Sequence, residues 1–269
     1  MINTLNESSL HKTLKLLYSS DDGDRTEVEQ DGHIYDIVKK DGTIIEIQTQ
    51  NLGKLRAKMQ DILQSGKTCV IVHPVVLQKT IEIYDKNGIL VSRRKSPKKG
   101  SIYSMFRELT GLCSVLLTQN FTLEILLTNI TEQRIRTDEP VQSANRQRRI
   151  KKDWLKTDKK LEEIIEKRSF KNAKDYLALL PEGLGGVFCV KDIEKSLKKN
   201  KTLPASAAGN AALMLWVLRK TGLVEQSGTK SRARTYRINP QYSARADSHA
   251  TEKARSEEPG EYGSFSKIR

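Results

Sequence analysis

The chain has 269 residues and a mass of 30.5 kDa, the size of one large domain or two ordinary ones. Its 47 lysine and arginine residues outnumber 33 aspartate and glutamate residues, which gives a net charge of +14 and a pI near 9.6. Proteins this basic usually bind polyanions, most often nucleic acid; a basic protein without such a partner is the alternative.

Cysteine spacing and apolar runs argue against a zinc-binding, secreted or membrane-spanning protein. Cys69, Cys113 and Cys189 are isolated, and no two have the spacing of zinc ligands, so buried reduced thiols are expected. The first twelve residues lack the basic and apolar regions of a signal peptide, and no apolar run approaches the ~20 residues of a membrane span. We therefore expect a cytoplasmic protein without a membrane partner.

The first predicted element is a helix over residues 4–18. Leu10, Leu14 and Leu17 recur at the spacing of one helix face, and Glu7 and His11 lie on the same stripe. An acid on an apolar stripe must be paired or bind a metal ion. Alternatively, Glu7 interacts with the helix dipole from solvent.

A hairpin with strands over 33–38 and 43–50 follows. A two-residue turn would place Asp36 and Glu46 on opposite faces of the sheet. A three-residue turn that ends with a left-handed Gly42 would place Asp36 directly opposite Glu46. We predict the three-residue turn, because it directs the isoleucines of the second strand into the core.

The predicted register brings Asp36, Glu46 and Gln48 onto one face of the hairpin. Two carboxylates on neighbouring strands can hold a divalent cation that prefers oxygen ligands. Such a cation activates water and stabilises charge on a scissile phosphate. The Gln48 amide could orient water or substrate but supplies no positive charge.

The remaining elements complete a mixed α/β domain and a second, mainly helical one. The first domain is predicted over 1–136, and its remaining elements are a helix over 52–64, a central strand over 69–76, a strand pair joined by residues 86–88, a helix around 101–113 and a strand near 121–129. The rest is predicted as a basic linker over 137–152, helices at about 153–168 and 172–180, a winged helix-turn-helix within 153–242 and a disordered tail over 243–269.

Basic side chains on three surfaces are predicted to contact nucleic acid. They lie on the helix after the hairpin, in a loop near residue 95, and in the winged helix with two polar helix residues. The predicted contacts are Lys54, Arg56, Lys58, Arg93, Arg94, Lys95, Lys98, Lys99, Ser206, Asn210, Lys230, Arg232 and Arg234.

Over residues 1–130 this pattern resembles the PD-(D/E)XK superfamily of restriction-endonuclease-like nucleases. The resemblance rests on Glu7, Asp36 and Glu46, and it implies that these three carboxylates hold Mg²⁺ or Mn²⁺ as catalytic residues together with Gln48. The chain departs from the family at Gln48, where a lysine is usual. The segments NESSLHKTLK and IEIQTQN also resemble a group of uncharacterised bacterial proteins that carry such a domain and a C-terminal winged helix.

The expected function is therefore that of a metal-dependent DNA endonuclease acting on double-stranded DNA, and a homodimer is left open. A non-catalytic DNA-binding or regulatory protein on a degenerate nuclease fold is the alternative. RNA processing is a third hypothesis, because charge alone does not distinguish RNA from DNA.

Overall fold

The computed structural model describes residues 7–143, 146 and 148–243. Its helices are α1 (Ser9–Tyr18), α2 (Arg56–Gln64), α3 (Met105–Leu109), α4 (Ala173–Leu177), α5 (Val190–Lys199), α6 (Ala211–Lys220) and α7 (Pro240–Ser243). Its strands are β1 (Arg25–Gln30), β2 (His33–Val38), β3 (Ile44–Ile47), β4 (Cys69–Tyr84), β5 (Leu90–Lys95), β6 (Phe121–Val141), β7 (Lys152–Phe170), β8 (Val224–Lys230) and β9 (Ala233–Ile238).

A seven-stranded mixed sheet forms the centre of the molecule. Its strand order is β1-β2-β3-β4-β6-β7, and β5 pairs with β4 off this path. The pairs β3–β4 and β4–β6 are parallel, whereas the remaining pairs are antiparallel. The predicted central strand over 69–76 is confirmed as the start of β4. Its apolar composition suits a strand that is covered on both faces.

Two hydrophobic clusters lie on opposite faces of the sheet. Helix α1 covers one face, where Leu10 and Leu14 pack against Ile45 and Ile47. Helices α2, α3 and α6 cover the other face and pack around Ile44 and its neighbours. Because successive strand residues point to opposite faces, the isoleucine run of β3 serves both clusters.

The helix predicted over 153–168 is wrong, because these residues form strand β7. Strand β7 pairs antiparallel with β6 along most of its length. The dense charge of this segment is typical of a helix, but long-range pairing overrides local preference. Strand β6 also extends to Val141, so the predicted boundary at 136 falls inside a strand, and residues 137–141 and 152 of the predicted linker belong to the sheet.

The C-terminal region has the predicted order of a helix, a second helix and a two-stranded hairpin. The helix predicted over 172–180 is present as α4, and the hairpin is β8–β9. Phe188 and Tyr236 exchange two backbone hydrogen bonds of 2.9 and 2.8 Å, which tie the segment before α5 to the hairpin. The predicted disordered tail lies, apart from Ser243, outside the described residues.

The three cysteines are reduced, as expected from their spacing. Cys69 is buried, Cys113 and Cys189 are half-buried, and all three are free thiols. No helix in the described ranges is long and apolar enough to cross a membrane.

Candidate functional site

The β2–β3 hairpin has the predicted register. Ile37 pairs with Ile45 and Val38 pairs with Ile44, so Asp36 lies opposite Glu46. The three-residue turn over 40–42 ends with Gly42 in a left-handed conformation, at a φ of 84°. This part of the sequence prediction is confirmed.

The two carboxylates nevertheless point to opposite faces of the sheet. The regular ladder stops at Asp36, whose Oδ2 accepts the Ile47 N–H at 2.8 Å, while its own N–H points at Glu46 Oε1 at 3.4 Å. Tyr35 packs on the α2 face and Ile37 on the α1 face, so the alternation of β2 is broken between them. The Asp36 carboxylate therefore turns towards α1, and the prediction that it shares a face with Glu46 is wrong.

Asp36 joins Glu7 and His11 beneath α1, and we call these three residues the acid–histidine cluster. His11 Nε2 lies 3.7 Å from both Glu7 Oε1 and Asp36 Oδ1. One ligand atom from each residue lies within 4.8 Å of those of the other two. Glu7 precedes the helix, because Ser8 is its N-cap, but its carboxylate still reaches the cluster.

Lys15, which was not among the predicted site residues, brings a positive charge to this cluster. Its Nζ lies 3.3 Å from Glu7 Oε1 and 3.3 Å from Asp36 Oδ1, and it also contacts Glu27 of β1. Burial lowers the pKa of Lys15, but the hydrogen bond to Glu27 and the nearby carboxylates raise it above its ordinary value. The spacing of four residues from Glu7 to His11 to Lys15 was the available signal.

The Asp36 carboxylate is stabilised in its ionised form. Burial opposes ionisation, but His11, the Ile47 N–H and Lys15 together hold the pKa of Asp36 below its ordinary value. His11 Nε2 is itself buried and has no hydrogen-bond partner among the described residues. The Nε2 atom of His11 is therefore available as a ligand for a cation beside two carboxylates.

Glu46 forms a separate pair with Lys58 on the opposite face. Glu46 is 4% exposed, and its Oε1 lies 2.6 Å from Lys58 Nζ. Burial raises the pKa of Glu46 to about 7, although the Lys58 ammonium opposes this shift. Lys58 also donates to the Ile34 carbonyl and lies over the Tyr35 ring. Lys58, which was predicted to contact nucleic acid, is therefore engaged within the protein.

Gln48 does not reach the acid–histidine cluster. Its side-chain amide nitrogen donates to the Gln50 backbone carbonyl at 2.6 Å, and the backbone carbonyl of Gln48 contacts His73 Nδ1 at 2.6 Å. These contacts hold the Gln48 amide nitrogen and backbone carbonyl at the end of β3.

The acid–histidine cluster offers two oxygen donors and one nitrogen donor to a cation. Carboxylate oxygens suit Mg²⁺ and Mn²⁺, whereas the imidazole nitrogen is a better ligand for a transition ion such as Mn²⁺. The buried, unpartnered Nε2 of His11 fits this use. Glu46 lies outside this group of ligand atoms.

A cationic cleft of about 710 Å³ opens beside the cluster. Glu7 and His11 line one part of it, and strands β4, β6 and β7 with their connections supply most of the rest. Its basic lining residues are Lys79, Arg134, Arg148, Lys156 and Lys159. They could not be predicted from the sequence, because they come together only when β7 pairs with β6.

The other predicted nucleic-acid contacts are spread over the surface. Lys54 and Arg56 are exposed at the start of α2, Lys98 and Lys99 are exposed after β5, and Lys230, Arg232 and Arg234 are exposed on the β8–β9 hairpin. Arg93, Arg94 and Lys95 lie in strand β5, the second strand of the predicted pair, and the segment with Lys98 and Lys99 follows it.

Ser206 and Asn210, the two polar residues of the winged helix that were predicted to contact nucleic acid, form hydrogen bonds within the protein. Ser206 Oγ donates to the Lys99 carbonyl at 2.7 Å, and the Asn210 amide donates to the Ser206 carbonyl at 3.0 Å. These contacts fix the segment before α6, so they leave little for reading base edges.

More than half of the chain matches a known protein family. Residues 8–171 match the model described as Domain of unknown function (DUF8091). The chain belongs to this family. The matched range ends one residue after β7, so the DUF8091 region contains α1 and the complete seven-stranded sheet.

A relative extends the similarity beyond the DUF8091 region. An uncharacterized protein of Treponema pallidum (strain Nichols) is 32% identical over 243 residues, which cover 89% of this chain and 88% of that protein. No solved structure gives a significant match to the chain.

Proposed function

We propose that this DUF8091 protein is a cytoplasmic, metal-dependent endonuclease that hydrolyses double-stranded DNA. The observation that carries the proposal is the convergence of Glu7, His11, Lys15 and Asp36 where β2 and β3 part, beside a cationic cleft. Helix α1, the β2–β3 hairpin and the parallel strands β3, β4 and β6 support a PD-(D/E)XK-like core.

The acid–histidine cluster would hold the metal ion. When bound, the ion would activate water and stabilise charge on the phosphate. The imidazole favours Mn²⁺ over Mg²⁺. Lys15 supplies the positive charge that Gln48 lacks, because its ammonium lies 3.3 Å from Asp36 and can donate a hydrogen bond to a phosphate oxygen.

The C-terminal region would act as a winged helix that adds affinity for DNA. The order of α5, α6 and the β8–β9 hairpin, with the Phe188–Tyr236 bridge, supports this arrangement. The hairpin presents Lys230, Arg232 and Arg234 to solvent. Because Ser206 and Asn210 are used locally, this module would contribute affinity more than sequence preference.

Cleavage of supercoiled plasmid with Mn²⁺ or Mg²⁺ tests the proposal. Asp36→Asn and Glu7→Gln should abolish metal-dependent cleavage, because each removes a negatively charged ligand. Glu29→Gln is the matched control, since Glu29 is an exposed acid on β1. Cleavage that persists in both cluster variants would exclude this site as the source of activity.

A non-catalytic DNA-binding protein is the second candidate, and Lys15 favours it. Its ammonium already pairs with the carboxylates of Glu7, Glu27 and Asp36, so a side-chain cation offsets part of their negative charge without a metal ion. This candidate predicts DNA binding with a steep salt dependence in EDTA and no calorimetric signal for Mn²⁺. Micromolar Mn²⁺ binding that Asp36→Asn abolishes would reject it.

A further inference from the structure

The cationic cleft contains lysines that no acid neutralises. Glu132 already pairs with both Lys79, at 2.9 Å, and Arg134, at 2.5 Å. Asp158 accepts hydrogen bonds from the N–H and hydroxyl of Ser9 at the start of α1. Within the described ranges, Lys156 and Lys159 have no carboxylate within 4.0 Å. Glu132 and Asp158 are therefore already paired, whereas the ammonium groups of Lys156 and Lys159 are not.

Lys159 is the lysine of the cleft that a bound anion would stabilise most. Burial lowers the pKa of Lys159, and the neighbouring Lys156 ammonium lowers it further. A half-buried ammonium without a partner is unfavourable, because it has lost part of its hydration and gained no ion pair. A bound anion would remove this penalty, whereas a free lysine at a surface would gain little from one.

Two arginines of the cleft are held rigidly by Trp154. The guanidinium carbons of Arg134 and Arg148 lie 3.6 and 3.8 Å from the centre of the indole ring. Two groups this close cannot share one face, so the ring is covered on both faces. Arg148 also donates to the Trp154 carbonyl at 2.8 Å. The arginines are thus pre-organised, and little rotamer entropy would be lost when they bind an anion.

The charge of the cleft suggests which anion it takes. Five cations line it against the carboxylates of Glu7, Glu132 and Asp158, which leaves a surplus of two positive charges. A phosphate monoester carries about −1.5 to −2 at pH 7. An internal phosphodiester carries a single charge and would leave one cation unbalanced.

We propose that this cleft binds the phosphate monoester at the end of a nucleic-acid strand, with Lys159 as its principal ligand and the exposed Lys156 beside it. The choice of nucleic acid as the carrier of the phosphate rests on the proposed function. The anion site itself rests on the unpaired lysines and the rigid arginines of the cleft. Because Glu7 and His11 line the same cleft, the site would hold a strand end beside the acid–histidine cluster.

Binding to matched DNA duplexes tests the site without any dependence on cleavage. Fluorescence anisotropy would compare duplexes of one sequence with a 5′-phosphate, a 3′-phosphate or hydroxyl ends, in EDTA, with the full chain. We expect one phosphorylated duplex to bind roughly tenfold more tightly than the hydroxyl duplex, as one charge-assisted contact allows. Lys159→Met should remove this difference, so that it binds the phosphorylated and hydroxyl duplexes equally.

The control variant is Lys160→Met, which removes an exposed lysine from the next position of β7. It should keep the preference for the phosphorylated end. Lys159→Met should fold, because it removes an unpaired charge and keeps a side chain of similar length. Its thermal unfolding midpoint would be measured alongside, and Lys156→Met serves as a second variant.

Thermal unfolding with inorganic phosphate tests whether the ligand is free phosphate or a phosphorylated strand end. It should raise the unfolding midpoint of the wild type and of Lys160→Met but not of Lys159→Met. Stabilisation without any end preference would overturn the strand-end assignment in favour of free phosphate. Equal stabilisation of all three proteins, or equal binding of all three duplexes by the wild type, would overturn the site. An end preference in a protein without nuclease activity would support this site and reject the proposed function.

Discussion

The carboxylate of Asp36 accepts the backbone N–H of Ile47 at 2.8 Å, at the point where β2 and β3 stop pairing. A carbonyl of β2 would accept this N–H in a regular ladder. One carboxylate oxygen of Asp36 thus stabilises the parting of the strands, while the other faces His11 and Lys15. The same residue therefore shapes the site and supplies its negative charge.

Substitutions at Asp36 should separate these two roles. Asp36→Asn keeps an oxygen that can accept the Ile47 N–H, so we expect it to fold but to lose Mn²⁺ binding. Asp36→Ala leaves that N–H without a partner, which costs a further 1–3 kcal/mol or so of unfolding free energy. Urea unfolding and calorimetric Mn²⁺ titration would measure the two effects. Equal stability of the two variants would show that the bond to Ile47 is unimportant.

His11 should determine which metal ion the site prefers. We expect the wild type to bind Mn²⁺ at least about tenfold more tightly than Mg²⁺, because an imidazole nitrogen is a poor ligand for Mg²⁺. His11→Gln should reduce this preference by weakening Mn²⁺ binding more than Mg²⁺ binding. His33→Gln is the control, since His33 pairs with the exposed Asp61 away from the cluster. An unchanged ratio of affinities in His11→Gln would remove His11 from the ligand set.

Lys15 should distinguish a metal site from a self-contained ion-pair network. Lys15→Met leaves the carboxylates of Glu7, Glu27 and Asp36 close together without a cation, so we expect a loss of about 2–3 kcal/mol in unfolding free energy. If the cluster binds metal, Mn²⁺ should raise the unfolding midpoint of this variant more than that of the wild type. Lys12→Met, at an exposed position of α1, is the control. No response to Mn²⁺ would favour the non-catalytic candidate.

Glu46 should make the protein less stable as the pH rises from about 4.5 to about 7. Burial raises the pKa of Glu46 from 4.5 to about 7, so the folded protein binds this proton more tightly than the unfolded chain. The resulting stability is fully present below pH 4.5 and lost as the pH rises through 7, with an upper limit of about 3 kcal/mol. Urea unfolding between pH 4.5 and 8 would measure it.

The variant Glu46→Gln isolates this contribution, because its amide does not titrate. The wild type should lose stability relative to Glu46→Gln as the pH rises, and Glu29→Gln should parallel the wild type. A constant difference between wild type and Glu46→Gln over this range would mean that Glu46 titrates alike in the folded and unfolded states.

The register of the hairpin could be predicted because it follows from local rules. A left-handed glycine and isoleucines that require a core fix the pairing of Asp36 with Glu46. The direction of the Asp36 side chain could not be predicted, because it depends on the exchange of a ladder bond for the bond to Ile47. The position of Lys15 beside the cluster could have been predicted, because Lys15 follows His11, and His11 follows Glu7, by four residues on the same side of the predicted helix.

The cationic cleft could not be predicted from local sequence patterns. Lys156 and Lys159 belong to a segment whose charge pattern favours a helix, and its identity as β7 depends on pairing with β6. Lys79 reaches the same cleft from β4, far away in sequence. A basic composition thus indicated a polyanion partner without indicating where its phosphates would bind.

The β8–β9 hairpin should contribute affinity for DNA without sequence preference. Arg232 and Arg234 are exposed at its tip, where Ser231 and Arg232 both have positive φ values. The double variant Arg232→Ala/Arg234→Ala should weaken binding to unrelated duplexes equally and reduce the slope of log K against log [salt] by about 1 for each phosphate that the hairpin no longer neutralises. Lys174→Ala, an exposed position on α4, should leave the slope unchanged. Weaker binding confined to one DNA sequence, or an unchanged slope in the double variant, would show that the hairpin does not bind the phosphate backbone.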